Sequence, residues 1–411
     1  MDVRVGYKQT EVGVIPENWH IKRLGEVGDA LIGLTYKPSD VRSHGTLVLR
    51  SSNIQNDKLA FDDNVFVNAE IPDRIRIRSG DVLVCVRNGS RDLIGKSVLL
   101  DARVEGMTFG AFMAVYRSPL GKLVNYLFQS RVLKHQIREH LGATINQITN
   151  KSLNSFLVPV PPTNSEQDAI AEALSDADAY IESLEQLIAK KRLIRQGAMQ
   201  ELLTGKRRLP GFSGEWETKK LGDLGIFMKG SGVRKNESSS GSLPCIRYGE
   251  IYTNHNEVIR FFFSWISAQV AATATRLKRG DLLFAGSGET KEEIGKCVAF
   301  VDDIEAYAGG DIVILRPENE DSMFLGYYLN TEPINRQKAS KGQGDAIVHI
   351  SSGALADIDI TIPSEKEQEA IATVLVEMDE EITALREKLT KARQIKQGMM
   401  QELLTGRIRL I

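Results

Sequence analysis

One stretch of the sequence has the residue types that bind a nucleotide phosphate. Residues 89 to 97 read Gly-Ser-Arg-Asp-Leu-Ile-Gly-Lys-Ser and resemble the pattern Gly-x-x-x-x-Gly-Lys-Ser/Thr. Five residues separate the two glycines, whereas the phosphate-binding loop has four. The related stretch from Gly288 to Cys297 has six and ends in cysteine. The sequence therefore predicts no ATP site at either place.

The histidines and cysteines lack the spacing of a metal centre or a catalytic site. The six histidines form no His-Glu-x-x-His motif, and Cys85, Cys245 and Cys297 form no Cys-x-x-Cys pair. The Gly-x-Ser-x-Gly motif of serine hydrolases and the glycine-rich turn of dinucleotide-binding domains are also absent. We therefore expect a non-catalytic chain without a metal of its own. The absence of a disulfide pattern favours the reducing cytoplasm.

The composition argues against a disordered or membrane-spanning chain. The 411 residues are 42% hydrophobic and 26% charged, which is ordinary for globular proteins and enough for two or three cores. No stretch reaches the roughly 18 uncharged apolar residues of a membrane span. The net charge of -2 would usually argue against nucleic-acid binding. However, residues 1 to 160 hold 21 Lys and Arg against 16 Asp and Glu, so the first part of the chain is basic.

The chain contains an internal duplication. The segment 166 to 174, Glu-Gln-Asp-Ala-Ile-Ala-Glu-Ala-Leu, returns at 367 to 375 as Glu-Gln-Glu-Ala-Ile-Ala-Thr-Val-Leu. The segment 196 to 205 returns at 397 to 406 with one difference, Ala198 against Met399. Weaker matches link the intervening blocks, such as Gly80-Asp81 with Gly280-Asp281. We divide the chain into a first block, a repeated segment, a second block and a second repeated segment, with bounds 1–160, 161–209, 210–363 and 364–411.

The repeated segments are predicted to be long helices. From Ser165 to Leu203 there is no proline, and apolar residues recur at alternating steps of four and three. The second copy continues the same pattern through Leu403. This spacing is typical of a coiled-coil seam, and each helix would be roughly 60 Å long at 1.5 Å per residue.

Each predicted helix is acidic in its first half and basic towards its end. The gradient could simply complement the dipole of each helix, but parallel pairing of the two helices would bring like charges together. We therefore expect antiparallel pairing. The chain would then be a pseudo-two-fold internal repeat, with one block at each end of the helix pair.

Short apolar runs between Gly, Asn, Asp and Ser clusters predict strands in both blocks. The predicted fold class is α+β, with two strand-rich mixed α/β domains joined by two long helices that pair as an antiparallel coiled coil. A further helix is predicted from Leu123 to Leu141. The predicted strands are Thr46 to Arg50, Arg74 to Arg78, Val82 to Val86, Phe109 to Tyr116 and Leu282 to Ala285.

Together these features resemble the DNA specificity subunits of type I restriction-modification systems, and the resemblance covers essentially the whole chain. Its most specific elements are Glu166-Gln-Asp-Ala-Ile-Ala, the segment from Gly197 to Gly205, and the copies of both. Further matching elements are Ile15-Pro-Glu-Asn-Trp19 followed by Leu24-Gly25, and the Gly-Asp pairs at 80 and 280. The start of the second block, Gly211 to Trp216, departs from that of the first.

The resemblance implies a non-catalytic subunit that recognises a bipartite, asymmetric site in double-stranded DNA. Each block would be a target recognition domain for one half-site, and the length of the paired helices would set their spacing. The resemblance also implies assembly with two modification (methyltransferase) subunits and with restriction (translocase and endonuclease) subunits. S-adenosylmethionine, ATP and magnesium are then expected on those partners, with no cofactor on this chain.

Residues that read DNA need side chains with paired donors or acceptors, on loops that flank strands. Matched positions of the two blocks supply three groups of such residues, and fainter candidates lie near the block ends. For any one of them, an exposed charge or a strand-end salt bridge is an equally good interpretation. Arg74, Arg76 and Arg78 are additional candidates for phosphate contacts. The candidate DNA-binding residues are Lys37, Arg50, Asn53, Arg87, Asn88, Ser90, Arg91, Gln147, Arg234, Lys235, Arg247, Tyr248, Ser287, Glu289, Lys291, Lys341 and His349.

Glycines inside the predicted helices mark a second candidate surface. Gly197 and Gly398 each cost roughly 0.5 to 1 kcal/mol relative to alanine. Close approach by another helix, such as one of a modification subunit, would offset that cost; alternatively the helices kink or fray there. The candidate partner-binding residues are Gly197, Met199, Leu203, Gly398, Met400 and Leu404.

Two other classes of function fit parts of the sequence. A coiled-coil adaptor without DNA recognition would have the same helices, and a self-contained nuclease or methyltransferase would need motifs that the chain lacks. Sequence-dependent DNA retention would argue against the first alternative. An isolated chain without turnover would argue against the second.

Overall fold

The computed structural model describes residues 4–142, 146–344 and 346–410. Contacts divide the chain into two units. Unit 1 comprises residues 1–185 and 387–411, and unit 2 comprises residues 186–386. Each unit therefore contains one strand-rich block and one part of each long helix. Among the described residues, no helix is both long and apolar enough to cross a lipid bilayer.

The first half of the chain forms many short strands before its long helix. The strands are β1 (Tyr7–Thr10), β2 (Gly13–Pro16), β3 (His20–Arg23), β4 (Asp29–Ile32), β5 (Val41–Arg42), β6 (Thr46–Leu49), β7 (Ile54–Gln55), β8 (Lys58–Leu59), β9 (Phe66–Val67), β10 (Val82–Cys85), β11 (Ser97–Leu99), β12 (Thr108–Phe109), β13 (Met113–Arg117) and β14 (Leu157–Val160). The helices are α1 (Leu24–Val27), α2 (Gly121–Gln129), α3 (Arg131–Gly142), α4 (Asn150–Ser155) and α5 (Asn164–Leu202).

The second half has the same alternation of strands and short helices before its own long helix. The strands are β15 (Glu217–Lys220), β16 (Gly225–Lys229), β17 (Leu243–Ile246), β18 (Ser264–Ile266), β19 (Thr275–Arg276), β20 (Leu282–Ala285), β21 (Ser287–Gly288), β22 (Cys297–Ala299), β23 (Tyr307–Ala308), β24 (Ile312–Pro317), β25 (Val348–His349) and β26 (Asp359–Ile362). The helices are α6 (Tyr248–Thr253), α7 (Ala268–Ala271), α8 (Ser322–Tyr328), α9 (Glu332–Lys341), α10 (Ser352–Ala356) and α11 (Glu365–Leu403).

Two four-stranded sheets form the centre of unit 1. The first has the order β11-β10-β13-β4 and is antiparallel, and the second has the order β12-β6-β9-β5 with β12 and β6 parallel. Strand β10 is buried on both faces because its side chains alternate between two cores. Val82 and Val84 pack in the core that includes α2 and α3, whereas Leu83 and Cys85 pack in the core of the second sheet.

Unit 2 repeats this plan. Its sheets have the orders β22-β20-β24-β16 and β18-β17-β23-β19, again with one parallel pair, β17 and β23. Leu282 and Phe284 of β20 face one core, and Leu283 and Ala285 face the other. The duplication and the mixed α/β blocks predicted from the sequence are therefore confirmed.

Three predicted elements of the first block require correction. Arg74 to Arg78 is not a strand, because a 3-10 turn occupies Asp73–Ile75 and extended chain follows it. The run from Phe109 to Tyr116 divides into β12 and β13. The helix predicted from Leu123 to Leu141 is two helices, because the backbone is extended at Ser130, whose hydroxyl donates to the carbonyl of Leu127 (2.6 Å).

The Gly-Asp motif of each block begins the central strand with a buried ion pair. Asp81 accepts two hydrogen bonds from the Arg117 guanidinium (2.9 and 2.7 Å) and one from the backbone N–H of Arg78 (2.9 Å). In unit 2 the same arrangement joins Asp281 with Arg316 (2.7 Å for both bonds). Because both aspartates are almost inaccessible to solvent, the repeated motif has a structural role.

The long helices pair antiparallel within both units. In unit 1, Lys396 Nζ lies 2.5 Å from the Asp178 carboxylate and Arg393 Nη2 lies 2.8 Å from that of Glu185. Residues later in α5 therefore pair with residues earlier in α11, and the predicted antiparallel pairing is confirmed. The corresponding pairs of unit 2 are Lys191 with Glu381 and Arg195 with Asp379.

A tyrosine from the block joins each of these helix pairs. In unit 2, Tyr327 donates to the Asp379 carboxylate (2.5 Å), and the Arg195 guanidinium lies 5.8 Å from the centre of the tyrosine ring. Burial, and then the carboxylate beside it, raise the pKa of Tyr327, which keeps its hydroxyl protonated as a donor. The corresponding residues of unit 1 are Tyr126, Asp178 and Lys396.

The segment after each long helix packs on the start of a block. In unit 2, Gly205 has a φ of +68°, and a side chain there would meet the ring of Trp216 at 3.3 Å. Arg208 then donates twice to Glu367 (2.5 Å for both bonds), which is 1% exposed. In unit 1 the same roles belong to Gly406, Trp19, Arg409 and Glu166. This packing explains why the glutamate and the glycine recur in both repeats.

One charged residue interrupts the apolar core of unit 2. Lys338 is 1% exposed, and its ammonium donates to the carbonyls of Gly295 (2.8 Å) and Leu329 (2.9 Å). Burial lowers the pKa of Lys338 to about 8. Unit 1 has the apolar Ile137 at the matching place beside Gly95. The charged form of Lys338 is therefore a pH-dependent cost to unit 2 alone.

We expect wild-type unit 2 to gain stability relative to a Lys338→Met variant as the pH rises from 8 to 10.5. In this window the unfolded lysine, with its usual pKa of 10.5, is protonated while the buried one is not. The unfolded state then binds more protons, so the free energy of unfolding rises with pH. The rise is on the order of 3 kcal/mol. Urea unfolding of both proteins across this pH range measures it.

The comparison with Lys338→Met cancels titrations that the two proteins share. One of them is the Cys245 thiol of unit 2, whose pKa burial raises to about 12 and which opposes the trend. A Lys366→Met variant is the control, because Lys366 is exposed. Parallel pH curves for wild type and Lys338→Met would show that Lys338 does not titrate in this range.

Candidate nucleic-acid interface

In unit 1, several candidate residues converge on one groove of about 1110 Å³. Arg50 follows β6, and Arg87 and Asn88 lie just beyond β10, so the neighbouring sheets bring distant parts of the sequence together. Tyr36 and Pro38, on either side of candidate Lys37, also line the groove. Arg50, Arg87 and Asn88, which come from two of the matched groups, therefore line one groove, and Lys37 of the third group is flanked by two residues that line it.

Backbone pairing fixes the loop after β10. The N–H groups of Val86 and Arg87 both donate to the carbonyl of Phe112 (3.1 Å each). Arg87 also forms an isolated antiparallel bridge with Gln147, which brings this candidate from the end of the block beside the loop. Arg91 donates through Nε to the side-chain oxygen of Asn146 (2.8 Å).

Asn53 is placed where it cannot reach DNA. It is 0% exposed, and its amide donates to Ala60 O (2.9 Å) and to Asn64 Oδ1 (3.1 Å). Its oxygen accepts the backbone N–H of Arg50 (2.8 Å). This placement contradicts the prediction that Asn53 reads a base. An asparagine that binds the backbone N–H three residues earlier is a local capping arrangement.

The remaining candidates of the first block differ in how free their side chains are. Arg50 Nη2 lies 2.8 Å from Asp63, and the Asn88 amide donates to Ser51 Oγ (3.3 Å). The oxygen of Asn88 accepts the backbone N–H of Ser90 (3.0 Å), which shapes the loop. Lys37, Arg87, Ser90, Arg91 and Gln147 are exposed.

In unit 2, the loop after β20 meets the end of the block in the same way. Strands β21 and β25 pair Ser287 with His349, and the Ser287 hydroxyl lies 2.9 Å from His349 Nδ1. Both residues line a cavity of about 410 Å³ together with Lys341. Ser287 is only 5% exposed and Lys341 also pairs with Asp357, so His349 is the more accessible of the three.

The other candidates of the second block are not among the residues that line this cavity. Arg234 and Lys235 are exposed at a 3-10 turn, and Arg247 and the exposed Tyr248 follow β17. Glu289 and Lys291 are also exposed, beyond β21. In unit 1, exposed arginines alternate with buried isoleucines from Arg74 to Arg78. The segment therefore alternates between exposed and buried side chains although it is not a strand.

Sequence reasoning missed the apolar part of the groove in unit 1. Phe112 is 59% exposed, and it lines the groove with Leu34, Tyr36 and Val65. The apolar run from Phe109 to Tyr116 predicted a continuous strand and did not indicate that Phe112 is exposed. Gly110, two positions before it, was the available signal of a break.

The predicted partner surface divides into core and surface residues. Leu203 and Leu404 are 0% and 2% exposed, so they pack the cores of their own units and do not face a partner. Met199 and Met400 are half-buried against the same cores. Helices α5 and α11 continue through Gly197 and Gly398. A side chain there would meet no described atom within 4 Å.

No group of three or more His, Cys, Asp and Glu residues in the described part of the chain is arranged to hold a metal ion. The three cysteines are buried free thiols. The side chains of the candidate surfaces are hydrogen-bonding, cationic, aromatic and aliphatic.

Comparisons with known proteins match both halves of the duplicated chain to one family. A family model described as type I restriction modification DNA specificity domain matches residues 16–190 and 213–396. The type I restriction enzyme MjaVIII specificity subunit of Methanocaldococcus jannaschii is 24% identical over 422 residues, covering 96% of this chain and 94% of the relative. The type I restriction enzyme EcoKI specificity subunit of Escherichia coli K12 is 28% identical over 306 residues, covering 69% and 65%.

A solved structure has the same fold. The S subunit of a type I restriction-modification system from M. genitalium superposes with a TM-score of 0.58 at 17% identity. The match covers 94% of this chain and 96% of that one. It supports the fold described above, including the duplicated blocks and the long helices.

Proposed function

Because this chain belongs to the type I restriction modification DNA specificity family, whose model matches both halves, we propose that it reads a bipartite, asymmetric DNA site. One observation carries the proposal: the two units share a fold but differ in the loops at matched positions. Arg87 and Gln147 meet in unit 1 where Ser287 and His349 meet in unit 2. Different side chains on the same framework would recognise different half-sites.

The proposal includes partners that carry the chemistry. The chain would assemble with two modification subunits, which bind S-adenosylmethionine, and with restriction subunits, which use ATP and magnesium. Gly197 and Gly398 support helix docking by a partner, because nothing described in this chain occupies the space beside them. The shared family does not favour an adaptor without DNA recognition.

We expect the isolated chain neither to methylate nor to cut DNA. The motifs of both reactions are absent from the sequence. Methylation and cleavage of DNA are measured with the purified chain in the presence of a methyl donor, ATP and magnesium. The assay is then repeated with modification subunits added. Methylation at a bipartite sequence should require both components.

A double variant tests whether this chain determines which DNA sequence is methylated. A double variant of the loop after β10, Arg87→Ala with Arg91→Ala, should alter the methylated sequence without abolishing assembly, since both residues are exposed. Methylation of an unchanged site by that variant would argue against the groove as the reading surface. Turnover by the isolated chain would contradict the proposed division of labour.

A further inference from the structure

Phe112 is exposed at a place where the backbone is firmly held. It precedes the buried Met113 of β13, and its carbonyl accepts the two backbone N–H groups of Val86 and Arg87. It is 59% exposed and continues an apolar lining formed by Leu34, Tyr36 and Val65. A clustered apolar surface inside a groove is typical of a binding surface, unlike a single apolar residue elsewhere.

Arg87 stacks on this ring with its donors free. The guanidinium carbon lies 4.8 Å from the centre of the Phe112 ring. Stacking on an aromatic ring orients the planar guanidinium and leaves the N–H groups at its edge available. Among the described residues, no hydrogen-bond acceptor contacts the Arg87 guanidinium, whereas Arg50 in the same groove is paired with Asp63. The groove thus presents an oriented, unpaired donor beside an apolar ring.

The major groove of DNA offers the complement to this pair. Guanine presents two acceptors that an arginine can bind together, and thymine presents an apolar methyl group that phenylalanine can contact. In unit 2, Asp311 precedes β24 where Phe112 precedes β13, and Ser287 stands where Arg87 stands. The pair is therefore a property of one unit only.

We propose that Phe112 and Arg87 form a single specificity element of unit 1. The Phe112 ring contacts the 5-methyl group of a thymine, and Arg87 donates two hydrogen bonds to the guanine of an adjacent base pair. The inference rests on the proposed function, because it assigns a base step to the groove that would read one half-site. It adds Phe112 as a specificity-determining residue and predicts thymine next to guanine in that half-site.

The test couples the protein residue to a single methyl group. The full-length chain is assembled with modification subunits and its site is mapped. Each thymine of the site is then replaced in turn by deoxyuridine, which lacks only the methyl group. Loss of one methyl contact should weaken wild-type binding about fourfold at one position. The Phe112→Ala complex should bind the thymine and deoxyuridine duplexes equally at that position.

Two further variants separate this role from a general loss of binding. Arg87→Ala removes the guanidinium donors, so discrimination for the adjacent guanine should fall about tenfold or more. Phe261→Ala is the matched control, because Phe261 lies in unit 2 and is 69% exposed. It should leave every thymine-to-deoxyuridine effect unchanged. Phe112→Leu should retain part of the methyl effect.

The outcomes distinguish this inference from the proposed function. If the Phe112→Ala complex still discriminates its site and keeps the full methyl effect at every thymine, the specificity element is wrong and the proposed function stands. A mapped site without thymine beside guanine has the same consequence. If the wild-type complex binds all sequences equally, the proposed function fails and this inference fails with it.

Discussion

Replacement of residues 20 to 160 by the corresponding block of another family member is expected to change one half of the recognised site and leave the other unchanged. Unit 1 has its own cores and its own groove, and unit 2 has a separate set. Discrimination against the former half-site should change by about a thousandfold or more, as for other specific DNA-binding proteins. The measurement is a map of the methylated bases after assembly with modification subunits.

The donor block must keep the contacts that unit 1 makes with its own helices. Tyr126 donates to Asp178, and Leu24 and Tyr116 lie in the same core as Ile170 and Leu174 of α5. A block that lacks these contacts would fail for structural reasons. Exchange of residues 217 to 362 is the reciprocal experiment and should alter only the other half-site. A simultaneous change of both half-sites after either exchange would contradict independent reading.

The long helices could be predicted because their determinants are local and repeated. The seam of apolar residues indicates a helix pair by itself, and opposite charge gradients indicate its direction. The ion pairs of Lys396 with Asp178 and of Lys191 with Glu381 confirm that direction. Lys396 and Arg195 are charged residues that occupy positions of the apolar seam. The structure shows that each pairs with an aspartate of the other helix beside a tyrosine of the block.

The candidate binding surfaces were harder to predict because they depend on pairing between strands that are far apart in the sequence. The sequence indicated the loop after β10 as a candidate, but not that Arg50, Arg87 and Asn146 line one groove. Asn53 has the chemistry of a base reader, and only its burial shows that it binds neighbouring backbone instead. Phe112 has the chemistry of a core residue and is exposed. In each case the side chain's partners, which sequence does not record, decide its role.

The repeated Gly-Asp and Glu motifs belong to the family resemblance, but the sequence alone did not reveal their structural role. Asp81, Asp281, Glu166 and Glu367 are all buried carboxylates, each paired with an arginine. Such a pair satisfies a charge that burial would otherwise make costly. Their recurrence in both halves follows from a shared fold, and the loops that differ between the halves remain free to determine sequence recognition.

Asp281→Ala is expected to lower the free energy of unfolding of unit 2 by about 3 kcal/mol, because removing one partner leaves the other charge of a buried pair uncompensated. Asp281 is 0% exposed and accepts two hydrogen bonds from one edge of the Arg316 guanidinium, from Nε and Nη2. It also accepts the backbone N–H of Lys278 (2.8 Å) at the start of β20. Hydrogen exchange of peptides covering β20 and β24 measures the loss, with β10 and β13 of unit 1 as an internal reference.

Asp303→Ala provides the matched control, since Asp303 forms an ion pair of similar length with Arg279 (2.9 Å) but both side chains are mostly exposed. An exposed pair contributes less than about 1 kcal/mol, so burial is the variable that the two substitutions compare. Because β20 leads directly to Ser287 and the loop beyond it, Asp281→Ala should also weaken recognition of one half-site. Equal effects of the two substitutions on β20 would mean that the buried carboxylate does not anchor the strand that carries this loop.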